Sequence, residues 1–280
     1  MAITNLLDGV LNDSLTNQVL VENLIANSTY LSNTQGIVDG TLTSGKIVKN
    51  SLLTQPTANA YTGADITVAN ADDTSKPITV NQAAEFSAKI LDIDIDQSFF
   101  THDSLQMEFA KLGVRGLQNT IDNYALTQAA AGAGASGTTV ANITAANVEA
   151  YMAEGIELLM KENVSANEVI AFVPYYVYSA AQQAGGVQTE TAQSAFSQGK
   201  VLDFMGAKVI LNNNLDSTTN LQTDAESIFT TSWATQYVIG GTTTESTRIE
   251  KNFGSIIKGL MLYGAGVLQP GAVVNTVVGK

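Results

Sequence analysis

The stretch from residue 101 to residue 132 constrains the fold of this chain more than any other. Apolar and small side chains recur in it at steps of three and four residues, the spacing of one face of an α-helix. That face consists of Leu105, Phe109, Leu112, Gly116, Leu117, Ile121, Tyr124 and Gln128. Asp103 is placed to cap the helix and Gly132 to end it. A helix of about 28 residues would be about 42 Å long. We therefore expect a strut that packs closely against other elements, with Gly113 and Gly116 at the close contacts.

The composition excludes several classes of function. The 280 residues carry a net charge of −13 and no basic stripe, so we do not expect direct recognition of duplex DNA. There are no cysteines, which excludes disulfides and thiolate metal sites. No apolar run reaches the ~18 residues of a membrane span, and the N-terminus lacks the basic region of a secretory signal. An intracellular protein is expected. Charged residues make up only 14% of the chain, which suits an extensive protein contact surface.

Two segments precede the long helix. Residues 1–55 carry short apolar helical patterns, which either pack on the same domain or form an arm that reaches a neighbouring subunit. Strands are expected at 65–69 and 78–80, joined by a polar tip at 70–77. A further strand is expected at 91–95, where apolar residues and aspartates alternate before the helix begins.

The pattern after the long helix mixes helices and strands. Thr144 is expected to cap a second helix that runs to about residue 163, with one face formed by Val148, Met152, Ile156 and Leu159. The remaining elements are expected to be a strand at 168–173, a helix begun by Pro174, a hairpin at 200–211 with its turn at Met205–Gly206, an apolar segment at 228–239, and short strands across 242–280. This order, without βαβ alternation, predicts an α+β fold.

Two glycine-containing motifs approach nucleotide-binding patterns. The run from Gly40 to Ile47 nearly matches a P-loop, but Ile47 replaces the hydroxyl residue that ligates magnesium, and no helix pattern follows. We interpret it as a turn. Gly132, Gly134 and Gly137 have the GxGxxG spacing, but they follow a helix rather than a strand. A flexible connector is the expected structure there.

The other residues that could carry chemistry also have a simpler interpretation. Asp92, Asp94, Asp96 and Asp103 occupy positions of a calcium loop, but Gln97 replaces its required glycine. His102 is the sole histidine and has no nucleophile motif beside it, so a capping or packing role is expected. The carboxylates of the second helix are interpreted as a solvated face; they are Glu149, Glu154, Glu157 and Glu162. We predict no enzyme activity, no catalytic, cofactor or metal residues, and no cofactor.

Three segments carry a resemblance to a known family. The first, at 170–183, is IAFVPYYVYSAAQQ, which has the pattern of a strand followed by a proline-started helix. The second, at 199–215, is GKVLDFMGAKVILNNNL, which has the pattern of a hairpin. The third, at 262–274, is LYGAGVLQPGAVV, which has the pattern of a pair of closing strands. These three segments follow the long helix in this order along the chain, and together they resemble the major capsid protein of tailed double-stranded DNA bacteriophages. The same Hong Kong-type shell fold is used by encapsulins. The resemblance spans roughly residues 56 to 280.

The resemblance implies a division of the chain into an N-terminal arm, an extended loop, a peripheral domain that contains the long spine helix, and an axial domain. The corresponding residues are 1–55 for the arm, 56–98 for the loop, 99–164 with 241–280 for the peripheral domain, and 165–240 for the axial domain. No room is left before residue 56 for a fused scaffolding segment, so any scaffolding protein is expected to be separate.

The resemblance also implies a function. We expect a capsid subunit that assembles with itself through pentamers and hexamers into an icosahedral shell around phage DNA, without specific DNA recognition. Expected partners are a separate scaffolding protein and a portal, with no membrane, and the presence of decoration proteins is left open. Assembly is expected in the host cytoplasm, and the final location is the virion capsid. An encapsulin-type compartment is the alternative within the same fold. A small-ligand or calcium-binding enzyme domain is the alternative from another class, supported only by the incomplete motifs above.

Overall fold

A computed structural model of the chain describes residue 24 and residues 28–53, 73–91, 102–184, 202–215, 224–249 and 253–279. Its helices are α1 (His102–Ala131), α2 (Val148–Lys161) and α3 (Tyr175–Gln183), with short 3-10 helices at Leu31–Asn33, Ala166–Glu168, Asn213–Leu215 and Pro270–Ala272. The strands are β1 (Gln35–Val38), β2 (Ile47–Leu53), β3 (Asp73–Thr79), β4 (Gln82–Leu91), β5 (Ala135–Ser136), β6 (Val169–Val173), β7 (Leu202–Phe204), β8 (Ala207–Leu211), β9 (Asp224–Thr231), β10 (Thr235–Arg248), β11 (Gly254–Val267) and β12 (Val273–Gly279).

The strands of the described residues form three sheets. A four-stranded sheet has the order β1-β10-β11-β4, and a six-stranded sheet has the order β5-β12-β9-β6-β8-β7. Strands β2 and β3 pair with each other as a separate antiparallel ribbon. Within the larger sheets the pairs β1–β10, β5–β12 and β6–β8 are parallel and the others antiparallel. Helices and mixed sheets together confirm the predicted α+β class.

Helix α1 confirms the long helix predicted from the sequence, although its buried face differs in part from the predicted one. Leu117 and Ile121 are buried as expected, whereas Leu112 is 57% exposed and a Cβ at Gly116 would meet no atom within 4 Å. The face that packs on the rest of the chain is Val114, Leu117, Ile121, Ala125, Leu126 and Ala129. Because apolar residues occur on more than one side of α1, the period alone placed the face incorrectly at Leu112 and Gly116.

The close approach to α1 occurs at Gly113. A Cβ there would lie 2.3 Å from Cδ2 of Phe86 on β4. A Cβ on Gly259 of β11 would lie 2.2 Å from Cε1 of the same ring. The Phe86 ring is therefore held between the helix backbone and a strand backbone, and the expectation of close packing is correct for Gly113 and wrong for Gly116.

Helices α2 and α3 follow the predicted pattern closely. Val148, Met152, Ile156 and Leu159 are all buried. Helix α2 ends before Asn163, whose φ of 63° is the left-handed conformation that often terminates a helix. Its N-cap is Asn147 rather than the predicted Thr144, and the Asn147 Oδ1 accepts the Thr144 backbone N–H at 2.7 Å. Pro174 is the N-cap of α3.

The β7–β8 hairpin turns at Met205–Gly206, as predicted. Both residues have positive φ, 52° and 86°. Two successive positive φ values give the turn the twist that suits a two-residue hairpin.

The C-terminal strands differ from the expectation of several short ones. β10 and β11 have 14 residues each and pair along most of their length. The glycines of β11 do not act as turn residues. A Cβ on Gly254 would lie 2.3 Å from the Ile90 carbonyl oxygen, and one on Gly264 would lie 2.4 Å from that of Thr79. Glycine allows neighbouring backbone to approach here, so the strand continues through it.

The predicted polar tip at 70–77 is also corrected, because β3 occupies Asp73–Thr79 and pairs in register with Ile47–Leu53. These polar residues form a strand that pairs with β2, which lies earlier in the chain than the hairpin strand predicted at 65–69. The predicted strand at 65–69 and most of the one at 91–95 lie outside the described residues, and β4 covers Gln82–Leu91 instead.

The predicted division into peripheral and axial domains stays a prediction. In the described residues β10 runs across the predicted boundary at residue 240, and β12 pairs with β9 in the six-stranded sheet. Most of the buried apolar side chains belong to one cluster that includes residues of α1, α2 and both larger sheets.

Candidate assembly surface

The near-match to a P-loop forms a turn. Lys46 N–H donates to the Thr43 carbonyl at 3.1 Å, Gly45 has a φ of 83°, and strand β2 follows rather than a helix. The Asp39 carboxylate accepts the Thr41 N–H at 2.9 Å and its hydroxyl at 2.7 Å, and these bonds hold the pKa of Asp39 below its ordinary value. The geometry is that of an aspartate-stabilised turn, without a helix N-terminus to bind phosphate.

The glycines at 132, 134 and 137 do not form a flexible connector. Gly134 N–H donates to the Pro270 carbonyl at 2.9 Å, and Gly137 N–H donates to that of Asn275 at 3.0 Å. A Cβ on Gly134 would lie 2.5 Å from the Pro270 carbonyl oxygen. The segment is joined to β12, and glycine is required at 134 because two backbones approach each other there.

The other predicted positions are the calcium-loop aspartates and the sole histidine. Asp92, Asp94 and Asp96 and the side chains of His102 and Asp103 lie outside the part of the chain that the structure describes. Among the described residues, no group of three His, Cys, Asp or Glu side chains could hold a metal ion. No described helix is long and apolar enough to cross a membrane.

The carboxylates of α2 form a solvated face with one exception. Glu157 pairs with Lys161 at 2.9 Å on the surface, and Glu149 and Glu162 are exposed. Glu154 Oε1 instead accepts the backbone N–H and the hydroxyl of Thr138, at 3.0 and 2.7 Å. Glu154 therefore fixes the start of the segment that leads into α2.

Large apolar side chains remain exposed on several elements. Among the described residues the most exposed is Phe253, at 85%, which immediately precedes β11. The others are Val38, Ile47, Leu112, Met160, Tyr175, Met205 and Leu260. They are distributed over helices, a turn and strands, which suits a subunit with more than one contact surface. Sequence reasoning missed most of these positions, although an apolar residue at a hairpin turn, as at Met205, is a signal that could have revealed them.

The β2–β3 ribbon has one face on the protein and one face outward. Ile78 is buried in a small cluster with Val80, Val238 and Leu268. On the opposite face Ile47 is 54% exposed. The described base of the ribbon is thus attached to the four-stranded sheet through one face only.

A buried polar junction connects residues 28–34 to three other elements. Ser28 Oγ donates to Asp122 Oδ1 of α1 at 2.5 Å and accepts the Leu31 N–H at 2.9 Å. The Tyr30 ring packs on Phe172 of β6, with centroids 5.0 Å apart.

The same segment also binds β8 and the residue that follows it. Lys208 Nζ donates to Asn33 Oδ1 at 2.6 Å, and Asn212 Nδ2 donates to Thr29 Oγ1 at 2.9 Å. Residues 28–34 thus connect the long helix to the six-stranded sheet. Together with the burial of Leu24, these contacts favour packing of this part of the N-terminal segment on its own chain.

The electrostatics of the junction are set by burial. Asp122 is only 2% exposed, and burial raises its pKa to about 6, while the hydrogen bonds from Ser28 and Leu31 act in the opposite direction. Burial also raises the pKa of Tyr30 and of Tyr237, and the nearby Asp122 carboxylate adds to both effects. A Cβ on Gly36 would lie 2.1 Å from Cζ of Tyr237, so glycine leaves the space that this ring occupies.

Comparison with known proteins finds solved structures of the same architecture. A chain from Mycobacterium phage Che8 has a TM-score of 0.66 at 20% identity, covering 83% of this chain and 85% of its own. A chain from the capsid of cyanophage P-SCSP1u has a TM-score of 0.65 at 15% identity, covering 88% and 86%. The virus-like particle from Pyrococcus furiosus gives 0.57 at 12% identity, covering 92% and 96%. No protein-family description and no curated protein matches the chain.

These similarities extend over most of each chain and fix the class of fold. The chain has the fold of tailed-phage major capsid proteins, as the sequence resemblance predicted. The Pyrococcus furiosus particle shares that fold.

Proposed function

We propose that this protein is the major capsid protein of a tailed bacteriophage and assembles with itself, through pentamers and hexamers, into an icosahedral shell around DNA. The observation that carries the proposal is the similarity to phage capsid structures over most of both chains, as with the cyanophage P-SCSP1u and phage PhiM1 capsids. The subunit has a structural role and no catalytic one. A separate scaffolding protein, a portal and decoration proteins are its proposed partners. Assembly takes place in the host cytoplasm, and the mature location is the virion capsid.

The exposed surface supports self-assembly. Apolar side chains that are exposed on one subunit gain about 25 cal/mol for each Å² of apolar area that a neighbour covers. A single such contact is weak, but closure of a symmetric shell repeats it in every subunit. The exposed outer side of α1, with Leu112, Gly116 and Thr120, is one surface suited to such contacts.

The first experiment measures the assembly state. The full chain, alone and together with its phage partners, is examined by light scattering and negative-stain microscopy. Closed particles of uniform diameter are expected. A protein that stays monomeric under both conditions would overturn the proposal.

A point variant tests whether the exposed apolar residues act in assembly. Phe253→Ser is expected to leave the unfolding midpoint unchanged, because the ring is 85% exposed, and to reduce particle yield. Phe253→Leu is the matched control, since it keeps an apolar side chain, and it should restore most of the yield. Equal yields for Phe253→Ser and the unmodified chain would remove Phe253 from the contact surface.

An encapsulin-type compartment that encloses a protein cargo is the second candidate. It is favoured by the similarity to the virus-like particle from Pyrococcus furiosus, which covers 96% of that chain. The contents of particles purified from the native source separate the two functions. Packaged double-stranded DNA supports the phage capsid, and a single co-purified enzyme without DNA supports the compartment.

A further inference from the structure

The unusual feature of the junction is a carboxylate buried on the helix face that faces the protein. Asp122 follows Ile121 on α1 and is 2% exposed. A buried carboxylate favours its neutral form, because the ionised form loses its hydration. Its direct partner is the Ser28 hydroxyl, which belongs to the 28–34 segment rather than to α1.

The titratable groups that face Asp122 leave this effect in place. Tyr30 comes from the 28–34 segment and Tyr237 from β10, and the Asp122 carboxylate raises the pKa of both phenols. Neither phenol supplies a positive charge. The hydrogen bonds from Ser28 and from the Leu31 backbone favour the ionised form, but burial is the larger effect.

The position of Asp122 gives its ionisation a structural consequence. Residues 28–34 contact α1 through Ser28, β6 through Tyr30 and β8 through Asn33. Separation of this segment from α1 would expose the carboxylate to water. Ionisation therefore favours the separated state, and protonation favours the packed one.

We propose that the packing of residues 28–34 over Asp122 is a proton-controlled connection between the N-terminal segment and the long helix, firm when Asp122 is protonated and weakened when it is ionised. This connection sets how firmly residues 28–34 hold α1 against the six-stranded sheet. It is a property of the single subunit and holds whether the chain forms a phage capsid or a compartment.

The sign follows from the folded-state pKa of about 6, which lies above the ordinary value of 3.8. The stabilisation is fully present below about pH 4 and is lost as the pH rises through about 6. The gap of about two pH units corresponds to at most an about 100-fold change in the opening equilibrium of the segment.

The test is hydrogen exchange by mass spectrometry on the full chain, from pH 5 to pH 8, after correction for the pH dependence of intrinsic exchange. Protection of the amides of residues 28–34 should fall by up to about 10-fold between pH 5 and pH 8. Asp122→Asn keeps an oxygen that can accept from Ser28 but does not ionise, and it should remove the pH dependence. Asp39→Asn is the matched control, because it makes the same chemical change at an exposed turn where the carboxylate accepts its hydrogen bonds from Thr41, and it should leave the profile unchanged.

Ser28→Ala provides a second test that does not depend on whether Asp122→Asn folds. Ser28→Ala removes the hydroxyl that favours the ionised form, so the midpoint of the protection profile should move to higher pH. Protection of residues 28–34 that does not depend on pH in the unmodified chain would overturn the proposal. A Ser28→Ala midpoint that stays in place or moves to lower pH would also overturn it.

Discussion

Replacement of Gly113 by alanine tests the packing of α1 directly. A Cβ at this position would lie 2.3 Å from Cδ2 and 2.6 Å from Cγ of Phe86, whereas ordinary contacts lie at 3.4–4 Å. The ring must retreat by about 1 Å. Rotation about the Cβ–Cγ bond does not help, because it leaves Cγ in place. The backbone of β11 at Gly259 lies against the same ring and opposes the movement.

The magnitude comes from two opposing effects. Alanine is favoured over glycine inside a helix by about 1 kcal/mol. Overpacking in a well-packed site costs about 1–3 kcal/mol. Gly113→Ala should therefore lower the free energy of unfolding by about 0–2 kcal/mol. Gly116→Ala is the matched control on the same helix, because a Cβ there meets no atom within 4 Å, and it should raise the free energy of unfolding by about 1 kcal/mol.

The informative quantity is the difference between the two variants. Helix propensity is common to both, so a difference of about 1–3 kcal/mol isolates the steric contact with Phe86. The assay is urea unfolding of both variants in the same assembly state. Phe86→Leu replaces the ring with a smaller side chain. Combined with Gly113→Ala, it should recover part of the lost free energy of unfolding. Equal effects of Gly113→Ala and Gly116→Ala would refute the close packing of α1 on β4.

Two further predictions concern other elements. Gly155→Ala on α2 would place a Cβ 2.5 Å from Cε2 of the fully buried Phe229. After the helix-propensity gain of about 1 kcal/mol is subtracted, we expect the free energy of unfolding to fall by about 0–2 kcal/mol, and a melting temperature raised as far as that of Gly116→Ala would contradict the α2–β9 contact. Met205 at the β7–β8 turn has a φ of 52°, which is unfavourable for a residue with a Cβ. Met205→Gly should therefore relieve about 1 kcal/mol of backbone strain and raise the midpoint of urea unfolding. A lowered midpoint would contradict the turn geometry.

Much of the fold could be predicted because local patterns determine it. The period of α1, the apolar face of α2, the strand that ends at Pro174 and the turn at Met205–Gly206 each depend on residues close together in the chain. These short-range signals also favoured the turn at Gly40–Ile47 over a phosphate site. The order of the elements led to the capsid fold, which the similarity to solved phage structures supports.

The tertiary structure decided what depends on residues far apart in the chain. The pairing of β2 with β3, the length of β10 and β11, and the role of Gly134 beside Pro270 all require a partner backbone that no local pattern identifies. The sequence by itself determined a long helix with apolar residues on several sides. Only packing decided that Gly113 meets Phe86 while Gly116 stays open, and that Asp122 is buried beneath Ser28. The physical reason is that the burial of a residue depends on which distant segments pack against it in the folded chain. Helix and turn formation depend mainly on residues of the same segment.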